Sequence, residues 1–285
     1  MKKILLAGVA SLFALSVTSA SGQDKKSGAI QFETTIDPAM MAEANGMTLT
    51  PEMMARMQKV TVPYELLFNA THASYMKVEE MEDSNMESRG NGPGARMMGG
   101  AGGNRDYFYD LATGKSTAVF DMADTTYFMD VQLGKVAGGM RMGNRGVIGE
   151  PVVEIIPSAE TRTIVGFPCK KVTIKTTTKR KIREEEKEMV DQTVVWYTDA
   201  LGFKFSPEPA IWTEGAVLAI ERKGNTTLAK SIEMRKVNAR DVMLPKKGTV
   251  ITAEAFQQRM ENMMKAMRER QGNRPGNGVR NIIVN

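Results

Sequence analysis

The single histidine, His72, and the single cysteine, Cys169, limit what this chain can do chemically. A metal site built from several imidazoles is excluded, and a Ser-His-Asp or Cys-His arrangement has one imidazole to draw on. His72 falls in an expected hairpin tip, Asn69 to His72, with no nucleophile motif beside it, and reads as an exposed turn residue. Cys169 lies on an expected strand without a base near it in sequence, and reads as a small buried hydrophobe rather than a reactive thiol. Asp121 and Asp124 could work as an acid and base pair, yet their spacing fits a turn between two strands equally well. The glycines from Gly90 to Gly103 do not follow a strand and open a helix, the context a phosphate-cradling loop needs. No catalytic residue and no cofactor is assigned, and the chain reads as non-enzymatic.

Methionine is the unusual resource. There are 23, many in clusters: Met40-Met41, Met53-Met54 with Met57, Met97-Met98, Met140 with Met142, and Met260 to Met267. Thioethers are soft ligands, so an exported, cysteine-poor chain with paired methionines could bind Cu(I) or Ag(I). Adaptable apolar packing accounts for the Met260 to Met267 cluster, which falls at helical spacing. It does not account for Met97, Met98, Met140 and Met142, which sit in glycine-rich stretches and are the candidate soft-metal ligands.

These groups must be placed by the rest of the chain. Lys2 and Lys3, the apolar run Ile4 to Val17, and the small residues Thr18 to Gly22 have the order of a secretory leader. The run is shorter than the roughly 20 residues of a spanning helix, and no later stretch approaches that length, so no integral membrane segment is expected after leader removal. The expectation is an exported protein, periplasmic or extracellular and soluble after signal-peptide cleavage. The formal charge of +5 includes the two leader lysines, leaving +3, too weak to suggest a nucleic-acid partner. One cysteine rules out an intrachain disulfide. The remainder, about 260 residues, can bury a sizeable core without one.

The expected organisation is a signal peptide over 1–22, a single β-rich domain over 23–270 with flexible insertions at about 37–57, 84–105 and 134–149, and a flexible tail over 271–285. Period-two alternation marks strands at Ala29 to Ile36, Val60 to Phe68, Ala73 to Val78, Asp106 to Leu111, Ser116 to Phe120 and Thr125 to Leu133. In the second half Pro151 to Ile156, Thr161 to Ile164, Cys169 to Thr178, Glu188 to Thr198, Ala216 to Arg222 and Thr226 to Val237 read as strands. Asp37 to Met57 suggests short helical turns broken by Asn45-Gly46 and Pro51. Lys179 to Lys187 reads as a solvated hairpin tip with cross-strand ion pairs, and Gly224-Asn225 closes another hairpin. One helix is expected late, with Thr252 as N-cap and a stripe of Phe256, Met260, Met263, Met264 and Met267 packed on the sheet. The fold class is mainly β: a curved antiparallel sheet or partial barrel in a hairpin meander, with one C-terminal α-helix and Gly/Met-rich loops.

The stretch Ile164-Val-Gly-Phe-Pro-Cys-Lys-Lys-Val resembles the I-x-G-[YF]-x-C-x-K-A segment of the GLPGLI family, exported Bacteroidetes proteins of unknown function. Val195-Trp-Tyr-Thr is similar to the strand that follows it there. Gly28 to Glu33, the Leu67-Phe-Asn to Ser74-Tyr75 hairpin and Ile251-Thr-Ala-Glu-Ala-Phe stand in the expected order. At the signature itself this chain has Trp212-Thr-Glu-Gly-Ala-Val, keeping Gly215 and an apolar Val217-Leu218 but losing the first glycine, the leucine and the proline. The resemblance implies an exported envelope protein and brings no catalytic residue with it. A concave sheet face or the methionine-rich insertions would then hold an apolar small molecule or a partner protein.

Overall fold

A computed structural model describes residues 27–44, 46–78, 105–122, 124–134, 147–182, 185–211 and 214–272. The segment expected to be a leader, most of the glycine-rich stretches and the expected tail lie outside the described residues, and so do the expectations placed on them. Within them the chain forms one open sheet of twelve strands and few helices.

The first half walks outward from the middle of the sheet. β1 (Gly28–Ile36) is followed by two short helices, α1 (Pro38–Ala44) and α2 (Pro51–Arg56). α2 starts where Thr50 accepts a hydrogen bond from the Met53 N–H at 3.3 Å and Pro51 supplies a preset φ. β2 (Val60–Phe68), β3 (His72–Lys77), β4 (Asp106–Asp110), β5 (Lys115–Met122) and β6 (Thr125–Gln132) then add in turn on one side of β1. The second half begins at the far edge and walks back. β7 (Val147–Ile164), β8 (Phe167–Ile182), β9 (Glu185–Thr198), β10 (Ala216–Arg222) and β11 (Asn225–Met234) bring the chain home to the free side of β1. All these neighbours are antiparallel.

The sheet is strongly curled. In strand order β4 lies five places from β10, about 24 Å on a flat sheet at the usual strand spacing. Yet Phe205, whose backbone is bonded to Gly215 and Val217 at the start of β10, has its ring centroid 5.3 Å from that of Tyr109 on β4. The sheet must therefore wrap around Phe205. Irregularities in the ladders help it bend: register shifts lie between Gln31 and Phe32 and between Val217 and Ala219. They also split the sheet locally. β11 follows β1 along its whole length but pairs with β10 only over Asn225 to Leu228, and Phe205 takes the vacated place beside Ala216.

The inner face carries Ile30, Phe32, Leu66, Phe68, Tyr75, Tyr109, Trp196 and Leu218, packed on Phe205 and Phe203. Burying several large side chains at about 1.5–3 kcal/mol each makes this the dominant favourable term. Further along the same face Ala118, Phe120 and Met129 receive Phe256 from the C-terminal helix α3 (Ala253–Gly272). Before reaching it, the chain leaves β11 and crosses the outer face, where a 3-10 turn (Ala239–Val242) buries Val242 against Ala29 and Leu67. The Ser74 hydroxyl donates to the Asp241 carbonyl at 2.7 Å beneath it. The strap then passes Gly248, where any Cβ would run into the Phe128 ring, and adds β12 (Thr249–Val250) in parallel to β6.

Several sequence expectations need correction in detail. Pro151 to Ile156 and Thr161 to Ile164 are one strand, joined through a bulged segment, with the register shifting between Pro157 and Thr161. That strand begins at Val147, inside the stretch expected to be a glycine-rich insertion. The ladder runs on through most of the charged block, pairing Ile182 with Glu185, because lysine and threonine stems pair as well as apolar residues on an exposed ribbon. Of the helix stripe, Phe256 is buried but Met264 is 45% exposed, so the packed face is narrower than its spacing implies.

Candidate functional site

The sequence-derived candidates separate cleanly. His72 opens β3, its Nδ1 2.8 Å from the Thr71 hydroxyl in an Asn69-anchored turn. Cys169 is buried and 3.5 Å from the Phe167 carbonyl, and burial pushes its thiol pKa up, away from a nucleophilic thiolate. The two are not brought together with an acid into any triad. Asp121 accepts from the Thr126 hydroxyl at 2.6 Å, across the turn between β5 and β6. Met97, Met98, Met140 and Met142 lie outside the described residues. Among the described residues no group of three or more His, Cys, Asp or Glu could hold a metal ion, and no helix is long and apolar enough to cross a membrane.

The inner face holds an aromatic cluster that composition alone does not announce. Tyr64 and Tyr75 stack at 5.1 Å, Phe32 meets Tyr75 edge-on at 5.7 Å, and Tyr109 meets Phe205 edge-on at 5.3 Å. Desolvation raises the pKa of Tyr64, Tyr75, Tyr107 and Tyr109, so these phenols stay protonated. The Tyr109 hydroxyl donates to the Ser206 carbonyl at 2.9 Å. Nearby, the Arg222 guanidinium forks onto both Glu208 oxygens at 3.0 and 2.7 Å and donates from Nε to the Thr193 hydroxyl. Phe203 and Phe205, from the connection after β9, thus fill the curl of the sheet with their rings. A cup that would accept an apolar small molecule is occupied by Phe205.

The apolar surface that is left uncovered lies at the other end of the sheet. β9 pairs with β10 only from Val194 to Thr198, whereas β8 and β9 pair out to Ile182 and Glu185. Strands β7 to β9 therefore project as a three-stranded ribbon beyond the curled body, with β7 at its edge. On β7, Val152 is 60% exposed, Val153 52%, Ile155 44% and Ile156 47%. Successive residues point to opposite faces, so both faces of the edge strand are apolar and open. In register with Val152, across Thr177, stands Val190, also 51% exposed. Between the valines and isoleucines, Glu154 is held by Lys175 at 3.3 Å.

The run Val152-Val153-Glu154-Ile155-Ile156 was legible as a strand, and its lack of alternation was the available signal. A strand apolar on both faces is ordinarily one covered on both. Here nothing among the described residues covers it.

No protein-family model matches this chain, and no curated protein does. Three solved chains match it in a comparison of structures. The structure of PNGF-II in a P21 crystal form gives a TM-score of 0.45 at 12% identity, over 83% of this chain and 33% of that one. The same protein in a C2 form gives 0.43 at 13% identity, over 82% and 32%. The chain spans about a third of the length of the solved chains it matches.

Proposed function

We propose that this is an exported, non-enzymatic envelope protein of the GLPGLI type that works by binding a partner protein through the β7 edge of its projecting ribbon. The observation that carries the reading is the pair of half-exposed apolar faces over Val152 to Ile156. Isolated exposed apolar residues are ordinary, but a contiguous set on an edge strand whose outer side is unpaired marks a contact surface or an aggregation hazard. A strand edge offers a partner main-chain hydrogen bonds, and the side chains on its two faces supply selectivity.

Two further features support it. The inner face, the natural place for an apolar small molecule, is filled by Phe203 and Phe205, which favours a protein over a lipid-like ligand. The thiol of Cys169 is buried with a raised pKa and His72 is held in a turn, so these two residues do not form a nucleophile–base pair. The leader-like start and the ordered GLPGLI-like segments support export.

The test is a photoreactive amino acid at Val153, with the same group at Lys223 on the body as control, irradiated in cells that make the chain. A discrete protein adduct at Val153 and none at Lys223 is expected. Absence of any adduct at Val153 would overturn the reading.

A further inference from the structure

We infer that the partner of the β7 edge is a second copy of this chain, paired antiparallel about a two-fold axis through Glu154. The inference rests on the partner-binding reading above and specifies the partner.

The segment Pro151-Val152-Val153-Glu154-Ile155-Ile156-Pro157 is the same in type read in either direction. An antiparallel copy centred on Glu154 sets Val152 opposite Ile156, Val153 opposite Ile155 and Pro151 opposite Pro157. Apolar residues then meet apolar residues on both faces of the joined sheet. Each proline, which lacks an N–H, faces another proline, so the positions without a donor coincide at the two ends of the pairing, where their carbonyls are left to water. A two-fold contact requires one patch to be complementary to itself, and this stretch meets that requirement residue by residue.

The geometry of β7 limits the alternatives. Register shifts against β8 fall between Ile148 and Val152 and between Pro157 and Thr161, and Gly149 has φ +72°. The regular edge is therefore short and fenced at both ends. Bulges and prolines at a sheet edge block long foreign strands. A strand carrying the same fences at the same spacing fits between them.

Charge supplies the most specific consequence. Only a residue on the two-fold axis meets itself, and here that residue is a carboxylate. Like charges directly opposite one another weaken a strand pair. Lys175, 3.3 Å from Glu154 in each copy, moderates the repulsion without removing the negative charge from the axis. Removing that charge should tighten self-association, an effect that a partner of different sequence has no reason to show.

The experiment is sedimentation equilibrium on the full chain across a concentration series, for wild type, Glu154→Gln, and the double variant Val153→Lys with Ile155→Lys. Circular dichroism serves as the control for folding, and all three positions are exposed. Wild type should move towards twice the monomer mass with rising concentration. Glu154→Gln should self-associate about two- to fivefold more tightly, and the double lysine variant should stay monomeric while remaining folded. Cysteine scanning fixes the register. Glu154→Cys should oxidise to a covalent dimer because paired Cα atoms lie about 4.5–5.5 Å apart, within disulfide reach. Val152→Cys should not, because its mate stands opposite position 156.

A wild-type chain that stays monomeric, a Glu154→Gln chain no tighter than wild type, or equal cross-linking at 152 and 154 would each overturn the two-fold pairing. If the photoreactive group at Val153 still captured a discrete protein of another mass, the partner-binding reading would survive that failure. No adduct at all would remove both.

Discussion

Replacing Phe205 with alanine should destabilise the fold more than any other single change in the Asp199 to Gly215 segment. The ring is fully buried and lies 5.8 Å from Phe32, 5.6 Å from Tyr75 and 5.3 Å from Tyr109. Truncating a buried phenylalanine costs about 3–5 kcal/mol through lost transfer energy and the cavity left behind. Three ring contacts argue for the upper half of that range, because each aromatic pair adds about 0.5–1.5 kcal/mol and the contributions overlap. The wedge between β10 and β11 cannot close, since both strands are fixed by their outer partners. The expected loss is therefore about 4 kcal/mol. With a urea m-value of about 3 kcal/mol/M, the unfolding midpoint should fall by about 1.3 M at unchanged m. Phe203→Ala, half-buried beside Phe68 at 4.9 Å, should cost about half as much. A loss below about 1 kcal/mol for Phe205→Ala would refute the claim that this segment is core rather than connection.

Alkaline titration probes the same region. Five of the six tyrosines have raised pKa values, Tyr197 to about 12 through burial and its 2.9 Å hydrogen bond to Glu214. Above pH 10 the unfolded chain releases phenolic protons that the folded chain keeps, so stability should hold below pH 10 and fall from pH 10 to about 12. Tyrosinate absorbance should lag behind that of free tyrosine until the protein unfolds; titration at the free-tyrosine pKa would contradict the burial. Gly248→Ala should displace the strap from Phe128 and cost about 1–3 kcal/mol in denaturant melts. Converting Met97, Met98, Met140 and Met142 to leucine should leave the Val153 photo-adduct intact. Its loss, together with loss of a copper or silver adduct in native mass spectrometry, would move the function to thioether ligation.

Local alternation carried most of the fold. β1 to β6 and β10 fall within a residue or two of the expected runs, and β11 stops three residues short of its own, because half-buried antiparallel strands impose period two. The turn after β10 comes one residue earlier than the expected Gly224-Asn225: Arg222 pairs with Asn225 and the connecting residues are Lys223-Gly224, with Gly224 at φ +78°. What escaped was non-local. Nothing in the spacing of Phe203 and Phe205 says that a connection folds back into the curl of the sheet. Nor does Thr249-Val250 look like a strand, being two residues long and held by pairing with β6. The order of the strands, with β7 sent to the far edge before the chain returns to β1, is set by which apolar faces find one another. The candidate site was the least legible part. Pro151 to Ile156 reads as a strand like its neighbours, and only the finished sheet leaves it at an edge.

The most direct test of the account is hydrogen exchange along β7, for the chain alone at high dilution and for the same chain concentrated or mixed with the protein captured at Val153. Docking at this edge should slow exchange of amides within Val152 to Ile156, while β2, central in the sheet, stays as protected as before. Unchanged exchange in that segment, with the complex formed, would contradict the claim that the β7 edge is where this protein binds.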